Sequence, residues 1–177
     1  MEGGSYPYPS PYVYSLTVYD GKLIASGEFT MAGGMEMNYI ASWDGSSWLP
    51  MGSGMDDNVN ALTVYDGKLI AGGSFTTAGG AAANNIAFWD GSSWSPLGSG
   101  MDNLVQSLFV YDGKLIAGGN FAAAGGTEAN NIASWDGSSW SPLGSGMNGF
   151  VHALTQYDGE LDPKSGLSTT GVERGDH

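Results

Sequence analysis

Residues 59–103 read VNALTVYDGKLIAGGSFTTAGGAAANNIAFWDGSSWSPLGSGMDN. The stretch that begins at Val105 repeats them with changes at about a quarter of its positions. The Tyr-Asp-Gly step inside this unit falls at Tyr19, Tyr65, Tyr111 and Tyr157, each 46 residues after the last. A fixed period of this length means one supersecondary unit in tandem, each copy burying its apolar face against the next.

Four strands are expected in each unit. Val59 to Tyr65 is rich in β-branched and aromatic residues, and Asp66-Gly67 supplies a two-residue turn whose twist suits a β-hairpin. Lys68 to Phe75 returns as the second strand. Its Leu69-Ile70-Ala71 run is continuously apolar, as in a strand covered on both faces, and Gly72-Gly73 marks a close backbone approach or a bulge. Residues 76–84, built on Ala78-Gly79-Gly80, read as a loop. Asn85 to Trp89 is the third strand, Asp90-Gly91-Ser92-Ser93 the next turn, and Trp94 to Leu97 the fourth strand, closed by Gly98-Ser99-Gly100. In the first copy the strands are expected at about Val13 to Tyr19, Leu23 to Phe29, Tyr39 to Trp43 and Trp48 to Met51. Four antiparallel strands at this period define an all-β chain of β-propeller blades.

Apolar runs closed by Gly72-Gly73 and Gly118-Gly119, then an aromatic-Asp pair and a Trp, resemble the kelch-type propeller repeat and the central domains of galactose-oxidase-like proteins. The whole unit, with WDGSSW and PLGSGM, is similar to bacterial repeat proteins and to the propeller of the fungal cortical cell-polarity marker family. Ser42-Trp43-Asp44-Gly45-Ser46-Ser47-Trp48 also resembles the Asp-box turn of sialidase propellers. The resemblance spans residues 12–160 and implies propeller architecture without specifying an activity.

The period divides the chain into a lead-in at 1–12, blades at 13–58, 59–104 and 105–150, a truncated fourth blade at 151–161, and a tail at 162–177 expected to be disordered. The fourth copy keeps its first strand, but Glu160-Leu161-Asp162-Pro163-Lys164 replaces the Lys-Leu-Ile-Ala-Gly of the others. An arc of three blades exposes sheet edges and apolar faces, so self-association that closes the propeller is expected, with six complete blades from two chains as the simplest ring.

Composition narrows the function classes. Thirty glycines and 13% charged residues suit short strands and tight turns. A net charge of −13 with only five Lys plus Arg removes the basic surface that nucleic acid or an anionic membrane requires. No run reaches membrane-spanning length, and MEGGSYPYPSPYVY has neither a basic nor an apolar signal region. Few lysines, abundant Gly and Ser, and many aromatics nevertheless fit an extracellular or cell-surface location. Cysteine is absent, which excludes disulfides and thiolate chemistry.

Six tryptophans, Trp43, Trp89, Trp135 and Trp48, Trp94, Trp140, recur in register. Each buries roughly 150–250 Å² when covered, so packing between blades is expected ahead of sugar stacking. The Asp-Gly steps read as turn chemistry rather than calcium ligation, since no loop converges several oxygens. No metal and no cofactor are expected. The chain holds two histidines, His152 and His177, and lacks a nucleophile elbow and a phosphate cradle; near-identical repeats cannot supply the unequal carboxylates of glycoside hydrolysis. The expectation is therefore no enzyme.

The copies differ chiefly in two connectors, the second-to-third-strand loop and the link between blades. Antiparallel topology puts both on one face and both Asp-Gly turns on the other. Binding is built on loops held by a rigid scaffold, so the candidate binding residues are Glu36, Asn38, Asp56, Asp57, Asp102, Glu128, Asn130 and His152. The resulting expectation is a non-enzymatic interaction module for a protein or glycan ligand. The alternative is a noncatalytic propeller fragment of a secreted carbohydrate-active enzyme.

Overall fold

The computed structural model describes residues 11–157 and 160–165, with side chains through residue 155. Blade 1 holds β1 (Tyr12–Tyr19), β2 (Lys22–Glu28), β3 (Met31–Ala32), β4 (Met35–Glu36), β5 (Ile40–Trp43) and β6 (Trp48–Pro50). Blade 2 holds β7 (Val59–Tyr65), β8 (Lys68–Gly73), β9 (Thr77–Ala78), β10 (Ala81–Ala82), β11 (Ile86–Trp89) and β12 (Trp94–Pro96). Blade 3 holds β13 (Val105–Tyr111), β14 (Lys114–Gly119), β15 (Ala123–Ala124), β16 (Thr127–Glu128), β17 (Ile132–Trp135) and β18 (Trp140–Pro142). The last hairpin is β19 (Val151–Tyr157) and β20 (Glu160–Ser165). The three four-stranded sheets run β1-β2-β5-β6, β7-β8-β11-β12 and β13-β14-β17-β18, each antiparallel throughout. This is the expected order, with strand ends within a residue or two of those read from the sequence.

The core lies between sheets rather than within them. On β8, Leu69 and Ala71 pack toward blade 1 with Ile24, Met51, Val59 and Trp94, while the intervening Ile70 packs toward blade 3 with Val105 and Trp140. Period-two alternation thus feeds two cores, which is why the run carries no polar residue. Each first strand has a register shift at the same point, between Val59 and Ala61 and between Val105 and Ser107. Beside it, a Cβ at Gly72 would lie 2.5 Å from Cγ1 of Val105, so glycine there lets the next blade's valine seat against the sheet.

Two features depart from the sequence reading. Residues 76–84 are not a plain loop, because β9 and β10 pair as a short hairpin, repeated by β3–β4 and β15–β16. Gly79 and Gly80, with φ of 62° and 83°, occupy both central positions of its turn, as a two-residue hairpin loop requires. The second departure concerns the fourth unit, expected to end strand structure after its first strand. Glu160–Ser165 instead pairs along β19, covering residues 162–165 of the expected tail, while 166–177 lie outside the described residues. A backbone ladder needs amides and carbonyls rather than apolar side chains, and Pro163 is tolerated because β20 has only one partner strand.

Candidate functional site

The face with both variable connectors is assembled from three small hairpins and the links that run beneath them. Each link is tied first to its own blade. Asn38 Nδ2 donates to the Ser53 carbonyl at 3.0 Å, and Asn84 and Asn130 repeat the bond to Ser99 and Ser145 at 3.1 Å. The backbone closes the same bracket, with Met55 N donating to Asn38 O at 3.1 Å and Met147 N to Asn130 O at 2.8 Å. Asn38 and Asn130 adopt φ of 48° and 43°, a region that asparagine tolerates better than most residues.

Each link is then tied to the following blade. Asp56 Oδ1 accepts from the amides of Thr76 and Thr77, both at 2.8 Å, and Oδ2 from the Thr76 hydroxyl at 2.6 Å. Asp102 accepts from the amides of Ala122 and Ala123 at 3.0 Å. Gly79 N donates to Gly54 O, and Gly125 N to Gly100 O, at 2.8 Å. Partial burial pushes the Asp56 carboxyl up, but the Thr76 hydroxyl and the amides of Thr77 and Thr76 outweigh it and hold the pKa below the usual value.

Of the eight candidate residues, four are therefore committed to brackets: Asn38 and Asn130 within a blade, Asp56 and Asp102 across a joint. Apart from the Thr76 hydroxyl, their partners are backbone groups about 15–20 residues away, which residue type alone does not reveal. Asp57 accepts only from the neighbouring Asn58 amide at 2.7 Å and is exposed. Glu36 and Glu128 stand exposed on β4 and β16. His152 is exposed on β19, with its ring edge-on to Phe150 at 6.4 Å. Glu36, Asp57 and Glu128 are thus the exposed acidic candidates that no bracket engages.

The opposite face carries the turns. Asp90 Oδ1 accepts from the amides of Ser92 and Ser93 and from the Ser92 hydroxyl, each at 2.8 Å, and Asp44 and Asp136 repeat the arrangement. Donation from the Ser93 and Ser92 amides holds the Asp90 carboxyl at about 2, and the same bonds hold Asp136 well below the ordinary range. Between the blades on this side lie two grooves of ≈140 and ≈150 Å³, one between Lys22 and Trp89, the other between Lys68 and Trp135. Each has room for only a handful of waters. Among the described residues no group of His, Asp and Glu is placed to hold a metal ion.

Tryptophans form the joints, as expected. In each blade the pair packs tilted, with ring centroids 5.3–5.5 Å apart. The indole nitrogen of Trp94 donates to Met51 O at 2.9 Å, and that of Trp140 to Leu97 O at 3.1 Å, both in the preceding blade. A Cβ at Gly52 would touch Trp89 and Trp94, and one at Gly98 would touch Trp135 and Trp140, so each Trp pair rests on the preceding blade's glycine loop.

Known proteins agree with this architecture. The family model described as "Domain of unknown function (DUF5122) beta-propeller" matches residues 66–87 and 112–133, the span from the Asp-Gly turn through the small hairpin into the third strand. No curated protein matches the chain. Among solved structures, the computationally designed Ika4 protein superimposes with a TM-score of 0.61 at 16% identity, over 94% of each chain. The computationally designed Ika8 protein gives 0.54 at 15% identity, over 86% of this chain and 42% of that one. At such identities the likeness is one of fold. The chain is built of β-propeller blades, and no helix among its described residues is long and apolar enough to cross a membrane.

Proposed function

We propose that the chain is a non-enzymatic binding scaffold, kelch-like in its repeat, that presents hairpin tips and connectors on one propeller face to a protein or glycan at the cell surface or outside the cell. One observation carries this reading. The brackets beneath the small hairpins are nearly invariant, while the outward residues change from Met35-Glu36 to Ala81-Ala82 to Thr127-Glu128, all exposed. A constant frame beneath varied tips is how loops on rigid scaffolds acquire specificity. The net charge of −13, with Glu36, Asp57 and Glu128 exposed, favours a basic or neutral ligand. Few lysines and abundant Gly and Ser support the extracellular setting.

Screening the chain against glycan and protein-interaction panels, beside a Glu36→Ala/Glu128→Ala variant, tests the reading. Binding should fall for the variant while its thermal melt stays unchanged. Binding that survives the double change and is abolished by substitutions in the Lys22–Trp89 groove would move the site to the other face and favour a carbohydrate-active-enzyme propeller.

A further inference from the structure

We propose that Asn148 deamidates in the folded chain without an enzyme, so that the third link acquires by chemistry the acidic side chain that the first two carry as Asp56 and Asp102. This modification site does not depend on the ligand-binding reading above.

The chain has ten asparagines, and only Asn148 is followed by glycine. The fold restrains most of the others. The side-chain nitrogens of Asn38, Asn84 and Asn130 are held by the glycine-loop carbonyls already described, and those of Asn85 and Asn131 donate to Gly73 O at 3.1 Å and Met147 O at 2.8 Å. Asn60 Nδ2 donates to the Gln106 side chain at 3.2 Å. Six side chains are thus fixed by a bond that a turn toward the main chain must break. Asn58, Asn103 and Asn120 precede Val59, Leu104 and Phe121, whose side chains crowd the main-chain amide and whose backbones bend less freely than that of glycine.

Asn148 alone combines exposure, a side chain without a hydrogen bond among the described residues, and a following residue that has no Cβ. Repeat register puts it where Asp56 and Asp102 stand in the earlier links. It lines an open hollow of ≈560 Å³ with Ser145, Gly146 and Met147, so water reaches its side chain.

The reaction balances with water as its co-reactant. The Gly149 nitrogen, on losing its proton to hydroxide, attacks Cγ of Asn148. The new N–Cγ bond closes a succinimide, the Cγ–Nδ2 bond breaks, and ammonia leaves with a proton from water. Water then adds at either ring carbonyl. Breaking the N–Cγ bond gives aspartate, whereas breaking the original peptide bond gives isoaspartate, in which the main chain runs through Cγ. The net change is loss of ammonia and gain of water, with no oxidation or reduction.

The two products differ in what they do to the link. Aspartate places a carboxylate in the register of Asp56 and Asp102. Isoaspartate lengthens the main chain between two pinned points. Met147 is held through its amide by Asn130 O and through its carbonyl by Asn131, and Val151 is buried against Gly118. Residues 148–150 must absorb the added length, so the isoaspartyl form should melt lower than the aspartyl form.

Ageing the purified full chain at neutral and at mildly alkaline pH, followed by peptide mapping in a mass spectrometer, tests this. Amide-to-acid exchange should appear at Asn148 ahead of every other asparagine, at a rate proportional to hydroxide, with both aspartyl and isoaspartyl peptides. Isoelectric focusing should show one added negative charge. Gly149→Ala should slow the exchange severalfold and Asn148→Gln should abolish it, with circular dichroism melts to confirm that both variants fold. Asn148→Asp supplies the aspartyl standard for the melts. Gly149 is itself buried, so the same ageing in urea serves as the reference. A folded chain in which Asn148 persists while the unfolded chain converts, exchange spread evenly over the asparagines, or an unchanged rate in Gly149→Ala would each overturn the proposal.

Discussion

Replacing Trp94 by Ala tests whether joints between blades hold this fold. Trp94 is 5% exposed, packs at 5.3 Å on Trp89 and donates across the joint to Met51 O at 2.9 Å. Truncating a buried aromatic costs about 3–5 kcal/mol, and orphaning an acceptor pushes the loss toward the upper end, so roughly 5 kcal/mol is expected. That is a large part of the ~5–15 kcal/mol that stabilises a typical domain. Trp94→Phe keeps most of the ring contact and should lose only about 1–2 kcal/mol. Trp48 holds the same place in blade 1 but is half-buried and has no such acceptor among the described residues, so Trp48→Ala should cost about 2 kcal/mol. Urea unfolding followed by far-ultraviolet circular dichroism, at concentrations where the chain is monomeric, measures all three. Equal losses at Trp94 and Trp48 would refute the reasoning, because they would place the tryptophan contribution inside the blade rather than between blades.

Asp56→Ala should destabilise by about 1–2 kcal/mol, since three donors of the next blade lose their acceptor, whereas Asp57→Ala should stay within about 0.5 kcal/mol; thermal melts compare the two. Asp90 has its folded pKa depressed from 3.8 to about 2, so its contribution is present above the unfolded value and is lost as the pH falls from there through about 2. Asp90→Asn should flatten that acid limb in a pH series of melts, and an unchanged limb would show that the turn bonds do not favour the carboxylate. Ser26 is fully buried with a hydroxyl that has no partner, so Ser26→Ala should raise stability by about 1 kcal/mol in denaturant titration; a loss would imply an unseen partner.

The sequence announced elements whose cause is local. Asp66-Gly67 makes its turn from two adjacent residues, and Leu69-Ile70-Ala71 shows a strand covered on both faces because both cores read consecutive positions of one segment. The Trp series was legible as core because its burial is too large to forgo. Bracket roles were not legible, because Asn38 bonds to a carbonyl and Asp56 chiefly to amides, and every residue offers the same amide and carbonyl. The small hairpin was read as a loop because two paired residues per strand leave no periodicity to detect, and Gly79-Gly80 is its whole local signal. The replacement of Lys-Leu-Ile-Ala-Gly by residues 160–164 argued against a second strand in the fourth unit, yet the β19–β20 ladder runs through main-chain groups, which every sequence offers. Glu36 and Glu128 could be found by comparing the copies, since their exposure and their variation have the same cause: nothing beneath them depends on their identity.

The indole bonds run in one direction, from Trp94 back to Met51 and from Trp140 back to Leu97. During synthesis the Met51 carbonyl therefore lacks this partner until the second tryptophan of the next blade has been made, 43 residues later. Until then the outer wall of the blade is unfinished, so its completion trails its own synthesis by almost one repeat. Pauses in translation that fall between Met51 and Trp94 would prolong the exposure of Ile24 and Met51, the residues that the next blade covers.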